Sequence, residues 1–122
     1  SEEYGTPYAT YEFKGSVRNT SGRPVKGIQV ECLPQSLSGF GFEAYPLAQT
    51  DAEGKFAGRF QNTFADEWIV RFVDIDGPEN GSYAADSVKV VFENKDYKKG
   101  KGSWNQGSAG KEIPTIVLKE NP

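Results

Sequence analysis

A chain of 122 residues is long enough for one domain that buries a core of its own without disulfides. With 14 basic against 17 acidic residues the net charge is −3, which gives no electrostatic reason to expect nucleic acid or an anionic membrane as a partner. There is no histidine and only one cysteine, which removes the commonest general base, the commonest metal ligand, a thiolate zinc site and any intrachain disulfide.

No run of about 18 apolar residues is present, so nothing in the sequence reads as a membrane-spanning helix. The chain has no methionine, even at position 1, and is expected to start inside a precursor, past a removed targeting segment. Residues 1–10 read as an N-terminal tether and residues 11–122 as a single domain.

The first strand is "YEFKGSVR", residues 11–18, with Tyr11, Phe13 and Val17 on one face and Glu12, Lys14 and Arg18 on the other. A turn follows in "NTSGRPVKG", where Gly22 supplies the bend and Pro24 fixes the backbone after it. "IQVECL", residues 28–33, is the second strand and stops at Pro34, which cannot donate to a ladder. Cys32 alternates in phase with Ile28 and Val30 and reads as a small core thiol; a catalytic cysteine would need a histidine partner. "QSLSGFGFEAYP" is a long loop. "LAQT" and "KFAGRF" flank "DAEG", a hairpin turn with Gly54 at a special backbone angle.

"WIVRFVDI", residues 68–75, is the most hydrophobic strand and is expected to be central. Trp68, Val70 and Phe72 share one face; Ile69, Val73 and Ile75, with Arg71, share the other, so cover on both sides is expected. "SVKVVF" presents Val88, Val90 and Phe92 together. "ENKDYKKGKGSWNQGSAGKE", residues 93–112, is a polar loop long enough to suggest function, and "IPTIVLKE" closes the chain as the last strand. No segment sustains a helical period. About seven short strands separated by turn clusters indicate an all-β, antiparallel sandwich.

Two phrases carry a resemblance. "FKGSVRNTSGRPVKGIQVEC" and, about twenty residues later, "TDAEGKF" resemble the carboxypeptidase regulatory-like, or transthyretin-like, domain. The resemblance implies a Greek-key β-sandwich of the prealbumin type; it implies little about activity, because such a fold hosts many functions. More narrowly, "EYGTPYATYEFKG", "DIDGPENGSY" and "KGSW" resemble a group of lipoproteins encoded beside radical-SAM enzymes in Gram-negative anaerobes. That resemblance implies a secreted precursor, a lipid anchor upstream of Ser1 and attachment to a membrane of the cell envelope. It brings no catalytic residues. The transthyretin-like hydrolase of urate breakdown relies on histidines and a particular C-terminal tetrapeptide, and a chain without histidine that ends "LKENP" departs from both. Related pilus domains join a buried lysine to an asparagine. Lys14 and Asn121 are near the corresponding places, but Lys14 is out of phase with Phe13 and should face water.

Three groups of residues are candidates for a site. Asp74 and Asp76, with Asn80 and Asp86 able to swing in, could bind calcium, which takes six to eight oxygen ligands. The EF-hand pattern fails, since counting from Asp74 the fifth position is Pro78 and the twelfth is Ala85. The competing reading of "DGPENG" is a tight, solvated connection built from turn-forming residues. "DSV", residues 86–88, matches a short O-glycosylation acceptor, and also a plain strand start. Phe40, Phe42, Tyr45 and Trp104 sit in the long loops, where aromatics either stack on sugars or anchor a partner, or fold back to plug the open ends of the sandwich. Lys95, Lys98, Lys99 and Lys101 read as a solvated loop.

The sequence therefore predicts a monomeric, non-enzymatic module of the envelope that displays loops or serves as the client of a neighbouring enzyme, without a cofactor unless calcium binds the acidic loop. A carbohydrate- or peptide-binding module using the loop aromatics is the alternative. No pair of carboxylates is singled out for glycosidase chemistry.

Overall fold

The structure, a computed structural model, describes residues 7–98 and 105–122. Among the described residues eight strands form: β1 (Tyr8–Asn19), β2 (Ile28–Pro34), β3 (Tyr45–Gln49), β4 (Lys55–Thr63), β5 (Glu67–Asp74), β6 (Asp86–Val91), β7 (Asn105–Glu112) and β8 (Ile116–Leu118). One sheet runs β4-β1-β7, with β8 also on β1; the other runs β3-β2-β5-β6. The described residues include no α-helix and none long and apolar enough to cross a membrane. The chain is an all-β sandwich, and all seven expected strands are present.

β1 is the spine of the first sheet. It pairs antiparallel with β4, placing Phe13 opposite Gly58, and parallel with β7 and then β8. The parallel pairings and the eighth strand correct the sequence expectation. β7 lies inside the segment read as a polar loop, because "NQGSAGKE" contains no β-branched or aromatic residue. Its strand conformation comes from the ladder it makes with β1 and from burial of Ala109. Gly107, at φ 99°, sits where the register shifts between Tyr8 and Thr10. The expected tether is also shorter than the sequence suggested: β1 begins at Tyr8, and Ala9 is wholly buried.

Alternation decides which side chains enter the core. Tyr11, Phe13 and Val17 are inaccessible to solvent, as are Val30, Cys32, Trp68, Val70 and Phe72 from the facing sheet. The Tyr11 ring lies 4.9 Å from Trp68 and 5.3 Å from Phe92, centroid to centroid, so both sheets meet on one aromatic cluster. Truncating one such ring to alanine costs about 3–5 kcal/mol in a typical core.

β5 is central, between β2 and β6, but only one of its faces is covered. Ile69 and Val73 are half-buried, Arg71 is exposed and pairs with Glu31, and Ile75 lies past the strand end at 48% exposure. A two-layer sandwich leaves the outer face of each sheet to water. Gly54 does take a positive φ, 75°. Yet β3 and β4 belong to different sheets, so "DAEG" is a corner that carries the chain across the sandwich rather than a hairpin within one sheet. Asp51 organises it by accepting hydrogen bonds from the N–H groups of Glu53 and Lys55, each at 2.9 Å.

The sandwich has two lateral seams, closed unequally. Between β3 and β4, Tyr45 stacks on Phe60 at 4.7 Å, and Leu47 packs so near Gly58 that a Cβ there would lie 2.5 Å from it. Between β6 and residues 111–116 an apolar groove of about 370 Å³ remains, lined by Val88, Val90, Ile113 and Ile116.

Candidate functional site

The end of the sandwich where the chain enters carries the most exposed apolar side chains. Tyr8 pairs with Thr63, the Phe64 N–H donates to the Pro7 carbonyl at 2.8 Å, and Pro34 pairs with Trp68. Residues 64–66 join β4 to β5 across this end, so the loop between β2 and β3 leaves from the same end at which Pro7 enters. That loop begins with a 3-10 turn, Gln35–Leu37, and the Ser38 and Phe40 N–H groups donate back to the Gln35 and Leu37 carbonyls. Gly39 (φ 86°) and Gly41 (φ 80°) then take left-handed conformations that other residues adopt at a cost, with no atom within 4 Å of where a Cβ would stand. The alternation Gly-Phe-Gly-Phe thus throws both rings outward. Phe40 is 75% exposed and Phe42 58%.

Of the two readings of these aromatics, Phe40 and Phe42 therefore depart from the one in which they plug the sandwich. Neither ring makes an aromatic contact among the described residues, because the glycines turn the loop away from the core. Tyr45 behaves differently. It lies on β3, closes one seam against Phe60, and remains 43% exposed on its outer side. Trp104 lies outside the described residues, as do Lys99 and Lys101.

The acidic loop stands at the opposite end. The Asp74 carboxylate accepts hydrogen bonds from the N–H groups of Tyr83 (2.9 Å) and Asp76 (3.3 Å). Asp76 accepts from the Asn80 side-chain amide at 2.9 Å, and Asn80 holds a left-handed φ of 62°. The Asn80 amide, followed by a hydrogen bond with Asp74, holds the Asp76 carboxyl below its ordinary range. Asp86 opens β6 opposite Phe72 and accepts from the Ser87 N–H. The four candidate calcium ligands are therefore not one group: three gather and bond to the chain's own donors, and the fourth stands on a strand. Among the described residues no three His, Cys, Asp or Glu side chains are placed to hold a metal ion together.

Two further features follow from the fold. Cys32 is fully buried, and burial, with the charge of Glu31, pushes its thiol up to about 12. The outer face of the first sheet forms a polar cleft of about 420 Å³, with Arg59 opposite Glu12 on the ladder, Gly110 on the other side of Glu12, and Lys14 beside Glu112. Sequence reading misses this cleft because its floor includes β7. Lys14 faces water, as its phase predicts, while Asn121 donates to Ser82 at 2.8 Å, so a Lys14–Asn121 cross-link is not assembled.

No family model and no curated protein matches the sequence. Solved structures do share the fold. A 3-chlorocatechol 1,2-dioxygenase from Rhodococcus opacus 1CP superposes with a TM-score of 0.53 at 11% identity, covering 96% of this chain and 68% of that one. A chlorocatechol 1,2-dioxygenase from Pseudomonas putida does so at 0.52 and 15% identity, covering 95% and 68%. At such identities the likeness establishes the sandwich fold and carries no activity with it.

Proposed function

We propose that this domain is a non-enzymatic module of the cell envelope, held by a lipid anchor upstream of Ser1, that displays loops to a partner. One observation carries the reading: Phe40 and Phe42 are held out on a loop whose two glycines keep them from the core. Among the described residues they are the two most exposed of the large apolar side chains, and an exposed apolar patch marks an interaction site. The lone thiol is buried and protonated, which suits a display role and not nucleophilic chemistry. The envelope assignment and the lipid anchor rest on the sequence resemblance.

Incorporation of labelled fatty acid into the full-length precursor tests the anchor. A photoreactive residue at position 42, introduced in the native host, tests display: one discrete adduct is expected at 42 and none at Glu53, on the opposite end. Adducts of equal yield at both positions would reject the reading.

A carbohydrate- or peptide-binding module is the second reading, favoured by the exposed face of Tyr45 beside the same loop. A ring fixed by stacking on Phe60 offers a rigid platform for a sugar or a side chain. Binding on a glycan or peptide array that Tyr45→Ala abolishes would select it over the first.

A further inference from the structure

We infer that the free edge of β6 takes up an extended segment of another polypeptide as an added antiparallel strand, with an acidic residue of that segment opposite Lys89. The inference goes beyond the display reading and stands apart from it, since it uses neither the Phe40–Phe42 loop nor an anchor.

A sheet edge presents a row of unpaired N–H and C=O groups, and what matches such a row along its length is another extended backbone. Elsewhere this sandwich closes its edges. β3 carries Pro46, which has no N–H, shifts register against β2, and packs Leu47 against Gly58 of β4. Beyond β7, Lys98 and Ser108 exchange backbone hydrogen bonds at 2.8 and 2.9 Å. Just past β8, the Ala84 N–H donates to the Lys119 carbonyl. β6 has no proline, and its ladder with β5 runs without a shift. The Phe92 N–H donates to the Asp66 carbonyl, which fixes the phase of that ladder: Asp86, Val88 and Val90 bond to β5. The N–H and C=O groups of Ser87, Lys89 and Val91 therefore point away from the sheet. Among the described residues no backbone hydrogen bond takes them up.

The occupant's side chains follow from the same alternation. Residues opposite Val88 and Val90 point inward, over the groove of about 370 Å³ that those valines line with Ile113 and Ile116, so they are apolar. The residue opposite Lys89 lies on the outer face. An edge lysine ordinarily deters pairing through its unmatched charge. Here Lys89 Nζ already lies 3.0 Å from a carboxylate oxygen of Glu67 on β5, and half of its side chain remains exposed, so an acid on the incoming strand meets the other side of the ammonium. A second copy of this chain matches poorly. The outer face of β6 offers Ser87, Lys89 and Val91 and no acid, so an antiparallel copy sets Lys89 against serine, valine or another lysine. Exposed Val91 favours an apolar residue, Ser87 a threonine and Asp86 a lysine. Antiparallel pairing, the more stable kind, then makes the matching segment Val-Ile-Glu-Ile-Thr-Lys, with its first residue opposite Val91.

The test titrates the 122-residue chain into that peptide, made with an N-terminal fluorophore and a C-terminal amide, and follows anisotropy. Saturable binding is expected. Methylating the glutamate nitrogen, whose N–H faces β6, should weaken binding about tenfold through the lost ladder bond. Methylating the isoleucine opposite Val88, whose N–H faces outward, should leave it nearly unchanged. Replacing the glutamate by lysine should weaken it more than replacing it by glutamine. On the protein, Lys89→Pro removes an outward N–H and no bond to β5, and should abolish binding. Should that variant fail to fold, the two methylated peptides decide on the unaltered chain. Phe40→Ser with Phe42→Ser should bind as the parent does. No saturable binding at millimolar peptide, equal losses from the two methylations, or a lysine peptide that binds as well as the glutamate one would overturn the inference. So would loss of binding in the double serine variant, which would place the peptide on the display loop, or a dimer in sedimentation that Lys89→Pro dissociates, which would make a second copy the occupant. Failure here leaves the cross-linking result at position 42 standing, and failure there leaves the strand edge standing.

Discussion

The phenolic oxygens of Tyr11 and Tyr97 lie 3.0 Å apart; Tyr11 donates to the Ala65 carbonyl at 2.8 Å, and the single Tyr97 proton is shared between that carbonyl at 3.2 Å and Asp66 Oδ1 at 3.1 Å. The Tyr11 oxygen also accepts from the Ala65 N–H at 2.9 Å, and the Trp68 indole donates to the same Ala65 carbonyl at 2.8 Å. One residue of the β4–β5 link is thereby fixed by three aromatic side chains from three parts of the chain. Tyr11→Phe leaves a part-buried Ala65 N–H without its acceptor and should cost about 1–3 kcal/mol. Tyr97→Phe leaves the Ala65 carbonyl two donors and should cost about 0.5–1.5 kcal/mol. Urea unfolding of both variants measures the difference, and equal costs would contradict it.

The same pair sets the alkaline limit. Burial, then the hydrogen bond with Tyr11, pushes the Tyr97 phenol far above its ordinary range. In the unfolded chain a tyrosine ionises near pH ~10, so above that pH the unfolded state sheds a proton that the folded state keeps. Stability should therefore be complete below about pH 10 and fall as pH rises beyond it. Tyr97→Phe should flatten that fall, which unfolding midpoints between pH 8 and 11 would register.

Cys32 gives a probe of opening. A thiol raised to about 12 and closed off from solvent should resist alkylation at neutral pH in the folded chain and react only on unfolding. Cys32→Ala removes little volume and should cost about 1 kcal/mol. Cys32→Ser buries a hydroxyl in the apolar core, opposite Val70 on the ladder, and should cost more, about 1–3 kcal/mol. Labelling rates with and without denaturant, followed by mass, check the first claim.

These core positions were legible because period-2 alternation is a local signal. Tyr11, Phe13, Ile28, Val30, Trp68 and Phe72 announce both their strand and their face. β7 was not legible, because a strand of Gly, Ser, Ala and Lys owes its form to β1, a partner about a hundred residues earlier. The polar cleft built on β7 was lost with it. Asp51 and Gly54 signalled a turn correctly, but which sheet each flanking strand joins depends on long-range packing. The loop aromatics were visible as candidates; only left-handed Gly39 and Gly41 in three dimensions reveal that they point away from the core.

Gly54 is a corner with no room. Its φ of 75° favours glycine, and an added Cβ would run into the Val17 carbonyl and the Pro24 ring. Its own carbonyl accepts from the Val17 N–H at 2.7 Å, so a shift there breaks a tie between the corner and β1. Gly54→Ala should lose about 1–2 kcal/mol from the backbone conformation alone, and more from the displaced contact. Gly22→Ala has a similar φ of 83° and open space around it, so it should lose only the conformational part. Comparable costs at both positions would show that crowding at the corner is relieved without strain.

The carboxylates give the acid limit and decide the role of the acidic loop. Asp51, Asp76 and Asp96 are all held below their ordinary range. The leading causes are the Lys55 N–H, the Asn80 amide and the Glu93 N–H, in that order. A depressed carboxyl contributes stability above its unfolded value and loses it as pH falls, so stability should decline below about pH 4. Asp51→Asn should lessen that decline. If Asp74 and Asp76 bond only to the chain, millimolar calcium and EDTA should give the same unfolding midpoint at neutral pH. A metal at a hundredfold excess over its dissociation constant would instead add about 2.7 kcal/mol, several degrees for a domain of this size. Asp74→Ala should destabilise in either buffer, because the Tyr83 N–H loses its acceptor. A calcium-dependent rise that disappears in Asp76→Ala would show that the loop opens to exchange its internal hydrogen bonds for a cation.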